Sequence, residues 1–337
     1  MIGKPPAALE CPVCHTPLSR SQVIEGLCPS CLLGLAMDDS SAEVEVLFEP
    51  DEAPTLQYSG GSFEEGQIQG ERYRVRSLLG RGGMGEVWRA YDLKLRQDVA
   101  LKALRTDLLE DSDALETLRQ EVRTAREVIS PNVCRVFDLQ ELDGQELVAM
   151  EYVDGTTLQE ILRDEGPLEL DRAREIASQF LAGLEAIHAA GLVHRDIKPE
   201  HVMVTRTGRV VVMDFGIAKA LGDGKGGLIA GTPAYMAPEQ SRGEPLDARA
   251  DVFSTGVVLA EMVEPGGVRS LDDRQRLWEA IHREPPQISE TPWSNVIARA
   301  VSAETCERFE SASALARALE EVTLRAVGDE TARPYPG

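Results

Sequence analysis

The chain has 337 residues, room for one large domain, which rarely exceeds about 250 to 300 residues, and a small appendage. Hydrophobic residues make up 42%, enough for a packed core, while 57 acidic against 35 basic residues leave a formal charge of −22 that opposes the counterion release behind nonspecific nucleic-acid binding. No run approaches the roughly 18 to 20 apolar residues that span a bilayer, and the first residues lead into cysteines rather than an apolar signal segment; a soluble, cytoplasmic chain with reduced thiols is expected, with neither nucleic acid nor membrane as partner.

In chain order, two knuckles come first. Cys11-Pro12-Val13-Cys14 and Cys28-Pro29-Ser30-Cys31 are separated by thirteen residues. Two such turns can set four thiolates around one Zn²⁺, and so short a segment has too little apolar area to fold otherwise. A redox-active or merely structural set of cysteines is the alternative, and His15 is an adjacent alternative ligand. The segment resembles a zinc ribbon, assigned to residues 1–36. From Ser21 to Glu71 there is no Lys or Arg, while Asp38, Asp39, Glu43, Glu45, Glu49, Asp51 and Glu52 accumulate. Residues 37–71 therefore read as a flexible acidic linker.

From Tyr73 the pattern turns globular. Tyr73 to Leu79, Glu86 to Tyr91 and Val99 to Leu104 have strand character, and Leu115, Leu118, Val122, Ala125 and Val128 recur at helical spacing over Asp113 to Val128. Leu147 to Val153 is a short apolar run. Helices are predicted over Arg172 to His188, with Asp171 as N-cap, and over Val252 to Val263, Arg274 to His282, Trp293 to Val301 and Ser311 to Leu324. Cys134 and Cys306 stand alone and read as packed thiols.

Gly80-Arg81-Gly82-Gly83-Met84-Gly85-Glu86-Val87 is a glycine loop of the G-x-G-x-x-G-x-V form, whose backbone amides can close over phosphates. Alone it could equally open a dinucleotide-binding helix. Val99-Ala100-Leu101-Lys102 follows at another spacing, and with it the chain resembles the protein kinase family. His194-Arg195-Asp196-Ile197-Lys198-Pro199-Glu200, Asp214-Phe215-Gly216 and Gly231-Thr232-Pro233-Ala234-Tyr235-Met236-Ala237-Pro238-Glu239 carry the resemblance through the chain.

The resemblance implies an α+β, bilobal protein kinase fold over residues 72–326, with an N-lobe at 72–153, a C-lobe at 154–326 and a tail at 327–337. It implies a serine/threonine kinase of intracellular signalling that uses ATP and Mg²⁺ on protein substrates, the ribbon and linker recruiting a protein partner. Lys102 is expected on the α and β phosphates, paired with Glu121 of the next helix; Glu116 is the competing choice. Met150, Glu151 and Val153 resemble the hinge at the adenine, and Gly80, Arg81, Gly82, Gly83, Gly85, Val87, Ala100 and Met203 are likewise assigned to the nucleotide. Asp196 is expected to take or orient the substrate hydroxyl proton, Lys198 to stabilise the transferred phosphoryl group, Asp214 to hold magnesium and Thr232 to contact the substrate. Asp251 and the pair Glu239–Arg308 are expected scaffold.

One catalytic position departs from the family. After Glu200 the motif expects Asn, a ligand of the second Mg²⁺, and the chain has His201. Imidazole suits Mn²⁺ or Zn²⁺ better than Mg²⁺, so a weakened second magnesium and a preference for Mn²⁺ are expected, with a pseudokinase, a nucleotide-binding scaffold, as the competing class.

The activation segment adds a further expectation. Ile217 to Gly231 contains no Ser, Thr or Tyr, and Thr232 is needed unmodified for substrate contact. Arg195 thus lacks the phosphorylated partner that often orders this segment; Asp223 offers a weaker anion. Phosphatase treatment should leave activity intact, and phosphopeptide mapping should find phosphate on linker residues such as Thr55. Activity that is lost with phosphatase and returns with phosphate on the activation segment contradicts this.

Overall fold

The computed structural model describes residues 9–10, 17–18, 63–82, 85–104, 112–142, 144–215, 233–268, 276–277, 280–281 and 286–331. Cys11, Cys14, Cys28 and Cys31, the linker as far as residue 62, Gly83, residues 216–232 and the tail from residue 332 lie outside them, as does most of the helix expected from Arg274 to His282. Near the N-terminus β1 (Leu9–Glu10) and β2 (Pro17–Leu18) pair antiparallel, Leu9 opposite Leu18.

The main sheet follows from alternation of side chains along its strands. β3 (Ile68–Gln69), β4 (Tyr73–Gly82), β5 (Gly85–Asp92), β6 (Gln97–Leu104), α1 (Ser112–Glu127), β7 (Val136–Leu142) and β8 (Gln145–Glu151) succeed one another, and the six strands lie in the order β3-β4-β5-β6-β8-β7. On β6, Val99, Leu101 and Ala103 pack with Tyr73, Ala90 and Trp88, whereas Ala100 and Leu104 share a core with Leu118 and Val122 of α1. Lys102, between Ala100 and Leu104 in the alternation, therefore belongs to the α1 face. β7, without a clear apolar pattern, was not visible as a strand in the sequence.

The folded lobe starts earlier than expected. Residues 63–71 were assigned to the linker on composition, yet Phe63 is buried beside Trp88, with ring centroids 6.0 Å apart, Gln69 is buried, and β3 pairs with β4. Covering one aromatic ring contributes about 2 kcal/mol, enough to outweigh the local acidity.

The second lobe is built on helices: β9 (Gly155–Thr157), α2 (Leu158–Glu165), α3 (Leu170–Ala189), β10 (Val202–Thr205), β11 (Val210–Val212), α4 (Pro238–Ser241), α5 (Ala248–Val263), α6 (Ser294–Ala300) and α7 (Ala312–Thr331). β11, β10 and β9 form a small sheet under the first lobe. α2 opens with a capping box, in which Thr157 Oγ1 accepts from the Glu160 amide at 3.2 Å and Glu160 Oε2 from the Thr157 amide at 2.8 Å. α3 starts two residues earlier than expected. Its N-cap is Glu169, without a side-chain cap bond, and Asp171 lies inside the first turn, where the helix dipole still favours an anion. α7 continues to Thr331, beyond Leu324, where its end was expected. Cys134 is buried as expected, but Cys306 is exposed, because it falls in a surface 3₁₀ turn, Thr305–Glu307.

α5 is the core of this lobe, buried from Ala250 to Met262. A Cβ on Gly256 would meet Val301 Cγ1 at 2.7 Å and Ala300 Cβ at 2.9 Å, so glycine lets the end of α6 lie directly on α5. The pair expected between Glu239 and Arg308 is present, with contacts of 2.6 and 2.8 Å, and the Arg308 guanidinium also donates to the carbonyls of Ser302, Arg249 and Ala303. Among the described residues no helix is long and apolar enough to cross a membrane.

Candidate active site

The loop from His194 to His201 joins α3 to β10, and α5 holds it from below. Asp251, fully buried, accepts from the His194 amide at 2.7 Å and the Arg195 amide at 2.9 Å, and its Oδ2 lies 2.8 Å from His188 Nε2. Burial pushes the Asp251 carboxyl up, but the hydrogen bonds from His188 and the Arg195 amide outweigh it and hold the group below the usual carboxylate range. These anchors sustain a left-handed backbone at Arg195, φ +70°, and Gln240 Nε2 donates to the Arg195 carbonyl at 2.7 Å. His194 is wholly buried and donates from Nε2 to the Met213 carbonyl at 2.8 Å, so it is structural, as expected.

Four groups converge above this loop. Lys102 Nζ lies 2.9 Å from Asp214 Oδ1, and Lys198 Nζ lies 3.5 Å from Asp196 Oδ2. His201 stands between the two acids: its Nδ1 is 2.7 Å from the Asp196 carbonyl and 3.5 Å from Asp196 Oδ2, and its Nε2 is 3.8 Å from Asp214 Oδ2. Asp214, directly after β11 and Met213, adopts φ +56°, in the left-handed region like Arg195. Burial pushes its carboxyl up, but Lys102 reverses the balance and keeps it well below the usual range. Burial pushes the His201 imidazole down to about 4, so the ring is neutral at physiological pH.

Glu121 is 8% exposed on the inner stripe of α1 with Leu118, Val122 and Ala125, whereas the Glu116 side chain is 65% exposed and pairs with Arg123. Of the two, Glu121 is the one on the buried face. The strong Lys102 contact is with Asp214, a pairing that residue spacing did not indicate.

The glycine loop joins β4 and β5, with Gly82 opposite Gly85. Gly85 has φ +141°, and a Cβ there would stand 1.9 Å from the Ala103 carbonyl oxygen, so no other residue fits. Gly80 has open space around its Cα. The Arg81 side chain is bound to Glu86 at 2.9 Å, and Glu86 also accepts from Trp88 Nε1 at 3.0 Å, so Arg81 braces the loop through its side chain. Val87 stands opposite Lys102 in the β5–β6 register, and Ala100 opposite Met150 in β6–β8. Met150 and Val153 are buried; Met203 is partly buried and packed against the core.

At the hinge, sequence reasoning missed Arg209. Its guanidinium holds Glu151 with contacts of 2.6 and 3.2 Å and also donates to the Pro131 carbonyl at 2.5 Å, tying β8 to the β10–β11 turn. No motif marks this arginine; only the fold brings it to the hinge. Cys134 Sγ lies 3.6 Å from the Glu151 carbonyl, and burial pushes its thiol far up, so it is unreactive. Thr232, Gly83 and the four knuckle cysteines lie outside the described residues.

The chain matches the family model described as protein kinase domain over residues 73–323. It is 44% identical over 209 residues to a probable serine/threonine-protein kinase of Streptomyces coelicolor, covering 59% of this chain and 31% of that one. It is 41% identical over 202 residues to the serine/threonine-protein kinase PknB of Mycobacterium tuberculosis, covering 57% and 32%. These matches span about a third of the curated relatives' length. A crystal structure of the M. tuberculosis PknI kinase domain aligns with TM-score 0.63 and 27% identity, covering 78% of this chain and 99% of that one.

Asp251→Asn keeps the side-chain volume but puts a donor where amides and His188 require an acceptor. It should cost about 2 to 4 kcal/mol in urea denaturation at neutral pH. The Asp251 carboxyl titrates lower folded than unfolded, so its contribution is complete above its ordinary value of 3.8 and is lost as pH falls below it. The stability gap between wild type and variant should accordingly narrow below about pH 4.

Proposed function

Because the chain belongs to the protein kinase family, we propose that it transfers the γ-phosphoryl group of ATP to serine or threonine hydroxyls of protein substrates. The observation that carries the reading is the grouping of the pairs Lys102–Asp214 and Asp196–Lys198 on either side of His201, over a loop that Asp251 holds in shape. Lys102 binds phosphate oxygens as a compact cation. Asp196, next to Lys198, accepts or orients the hydroxyl proton, and Lys198 offsets negative charge on the phosphoryl oxygens. Gly80, Gly82 and Gly85 allow the backbone to approach the phosphates, and Met150, Glu151, Val153, Ala100, Val87 and Met203 enclose the adenine.

Membership of the family implies Mg²⁺. The donor set fits a divalent cation at Asp214, whose carboxylate is ionised, while His201 presents nitrogen where a second oxygen donor is usual. A divalent cation held by Asp214 would supply positive charge against the phosphate oxygens. His201 is also what favours the second reading, a pseudokinase that binds nucleotide and signals by protein contacts.

Transfer of radiolabelled phosphate from ATP to a generic protein substrate separates the two. Asp196→Asn should lower wild-type transfer by about 10² to 10⁴-fold. A wild-type rate no higher than that of Asp196→Asn would leave the pseudokinase.

The finer reading adds a zinc-ribbon module, joined by the acidic segment, that recruits a protein partner inside the cell. Its support is the spacing of the two knuckles and the pairing of β1 with β2, which flank Cys11 and Cys14 in sequence. Purified protein should carry about one zinc, and replacing Cys11 and Cys28 by Ser should release it while the kinase domain stays folded. Metal analysis without zinc in fresh protein ends this reading.

A further inference from the structure

We propose that His201 Nε2 and Asp214 Oδ2 together form a mixed nitrogen–oxygen seat for a divalent cation, one that holds Mn²⁺ in preference to Mg²⁺. The inference rests on the kinase reading and deepens it by naming the atoms and the class of metal.

The argument begins with the ring's tautomer. The Asp196 backbone carbonyl can only accept, so a 2.7 Å contact with it places the imidazole hydrogen on Nδ1. In the neutral ring Nε2 is then left with its lone pair. Nε2 faces Asp214 Oδ2 at 3.8 Å, too far for the hydrogen bond that a ring N–H and a carboxylate would make, so the geometry presents this nitrogen to Asp214 as an acceptor. Two acceptors held face to face repel each other unless a positive group stands between them. The other Asp214 oxygen, Oδ1, is already matched to Lys102, so Oδ2 is the one available.

The ring is also held as metal-binding histidines are held. Such histidines donate their second ring nitrogen to a carbonyl or carboxylate, which fixes the tautomer and aims the free nitrogen. Here the Asp196 carbonyl takes that part. The backbone is pinned as well, the His201 amide donating to Lys198 O at 3.0 Å and its carbonyl accepting from the Met213 amide at 2.8 Å. The ring stacks on buried His194, with centroids 5.8 Å apart and planes at 27°. Among the described residues there is no group of three ligating side chains, so two protein donors leave the remaining positions to phosphate oxygens and water. Mg²⁺ favours oxygen donors throughout, whereas Mn²⁺ stands higher in affinity for imidazole nitrogen.

The test uses the full chain with Mn²⁺ and a non-hydrolysable imido analogue of ATP. Pulsed EPR should detect nuclear modulation from a histidine nitrogen, and labelling the protein's histidines with ¹⁵N should change its frequency; this measurement needs no substitution. His201→Asn should remove the coupling. The same variant should lower the ratio of Mn²⁺- to Mg²⁺-supported phosphoryl transfer at least severalfold, mainly by raising the Mg²⁺ rate. Manganese bound with the nucleotide but without histidine coupling overturns the proposal and leaves the kinase reading standing. An unchanged metal ratio in His201→Asn overturns it too. Failure of the wild-type chain to bind manganese and nucleotide at all sinks both readings.

Discussion

The catalytic arrangement depends on one buried carboxylate. Asp251 lies in the first turn of α5, the most enclosed helix of the chain, and its oxygens receive the amides of His194 and Arg195 and face His188. Irregular backbone cannot satisfy its own amides in a buried setting, and an orphaned buried amide costs a few kcal/mol. Asp251 supplies the missing acceptors, so the loop can take the left-handed turn at Arg195 that leads into Asp196. A carboxylate is suited to this because it accepts at both oxygens and has no hydrogen to misplace.

From that anchor the constraints spread outward. Gln240 binds the Arg195 carbonyl, and the neighbouring Glu239 is locked to Arg308, so the start of α4 is attached both to the catalytic loop and to the base of the lobe. A buried ion pair adds little net stability, but removing one partner costs about 3 to 5 kcal/mol; Arg308 thus enforces position more than it adds strength. On the opposite side Arg209 fastens the β10–β11 turn to Glu151, so the hinge and the strand pair carrying His201 and Asp214 are referred to one frame. Met213 completes it, its carbonyl bound by His194 and its amide by the His201 carbonyl.

Much of this was legible in the sequence, for local reasons. Val210-Val211-Val212 is a strand because three β-branched residues in a row suit a fully buried strand, and all three are wholly enclosed. The α1 stripe was readable from spacing alone. What escaped was set by tertiary contact. Phe63 is one aromatic residue in an acidic, glycine-rich stretch, and only the presence of Trp88 across β5 gives it a place in the core. Arg209 lies in a polar turn with no pattern around it. Spacing left both Glu121 and Glu116 as choices because they sit on one helix five residues apart, and of the two only Glu121 is buried. One miss was local all the same: Thr157 and Glu160 spell a capping box that would have revealed α2.

The Lys102–Asp214 pair shows how the site can be ordered and still open to a ligand. Each charge has left most of its water, Lys102 with 7% and Asp214 with 23% of its side chain exposed, so their attraction chiefly repays desolvation already incurred. The net gain from the contact is therefore small. Exchanging it for a phosphate oxygen on Lys102 and a cation on Asp214 restores opposite charge to both partners without adding a desolvation cost for either. A hydrophobic contact of the same size would have to be broken outright. The pair thus keeps Lys102 extended from β6 beside Asp214, in the places where the proposed phosphoryl transfer requires them. His201, neutral and fixed by the Asp196 carbonyl, adds no charge to this exchange. Its ring instead presents a nitrogen 3.8 Å from the Asp214 oxygen.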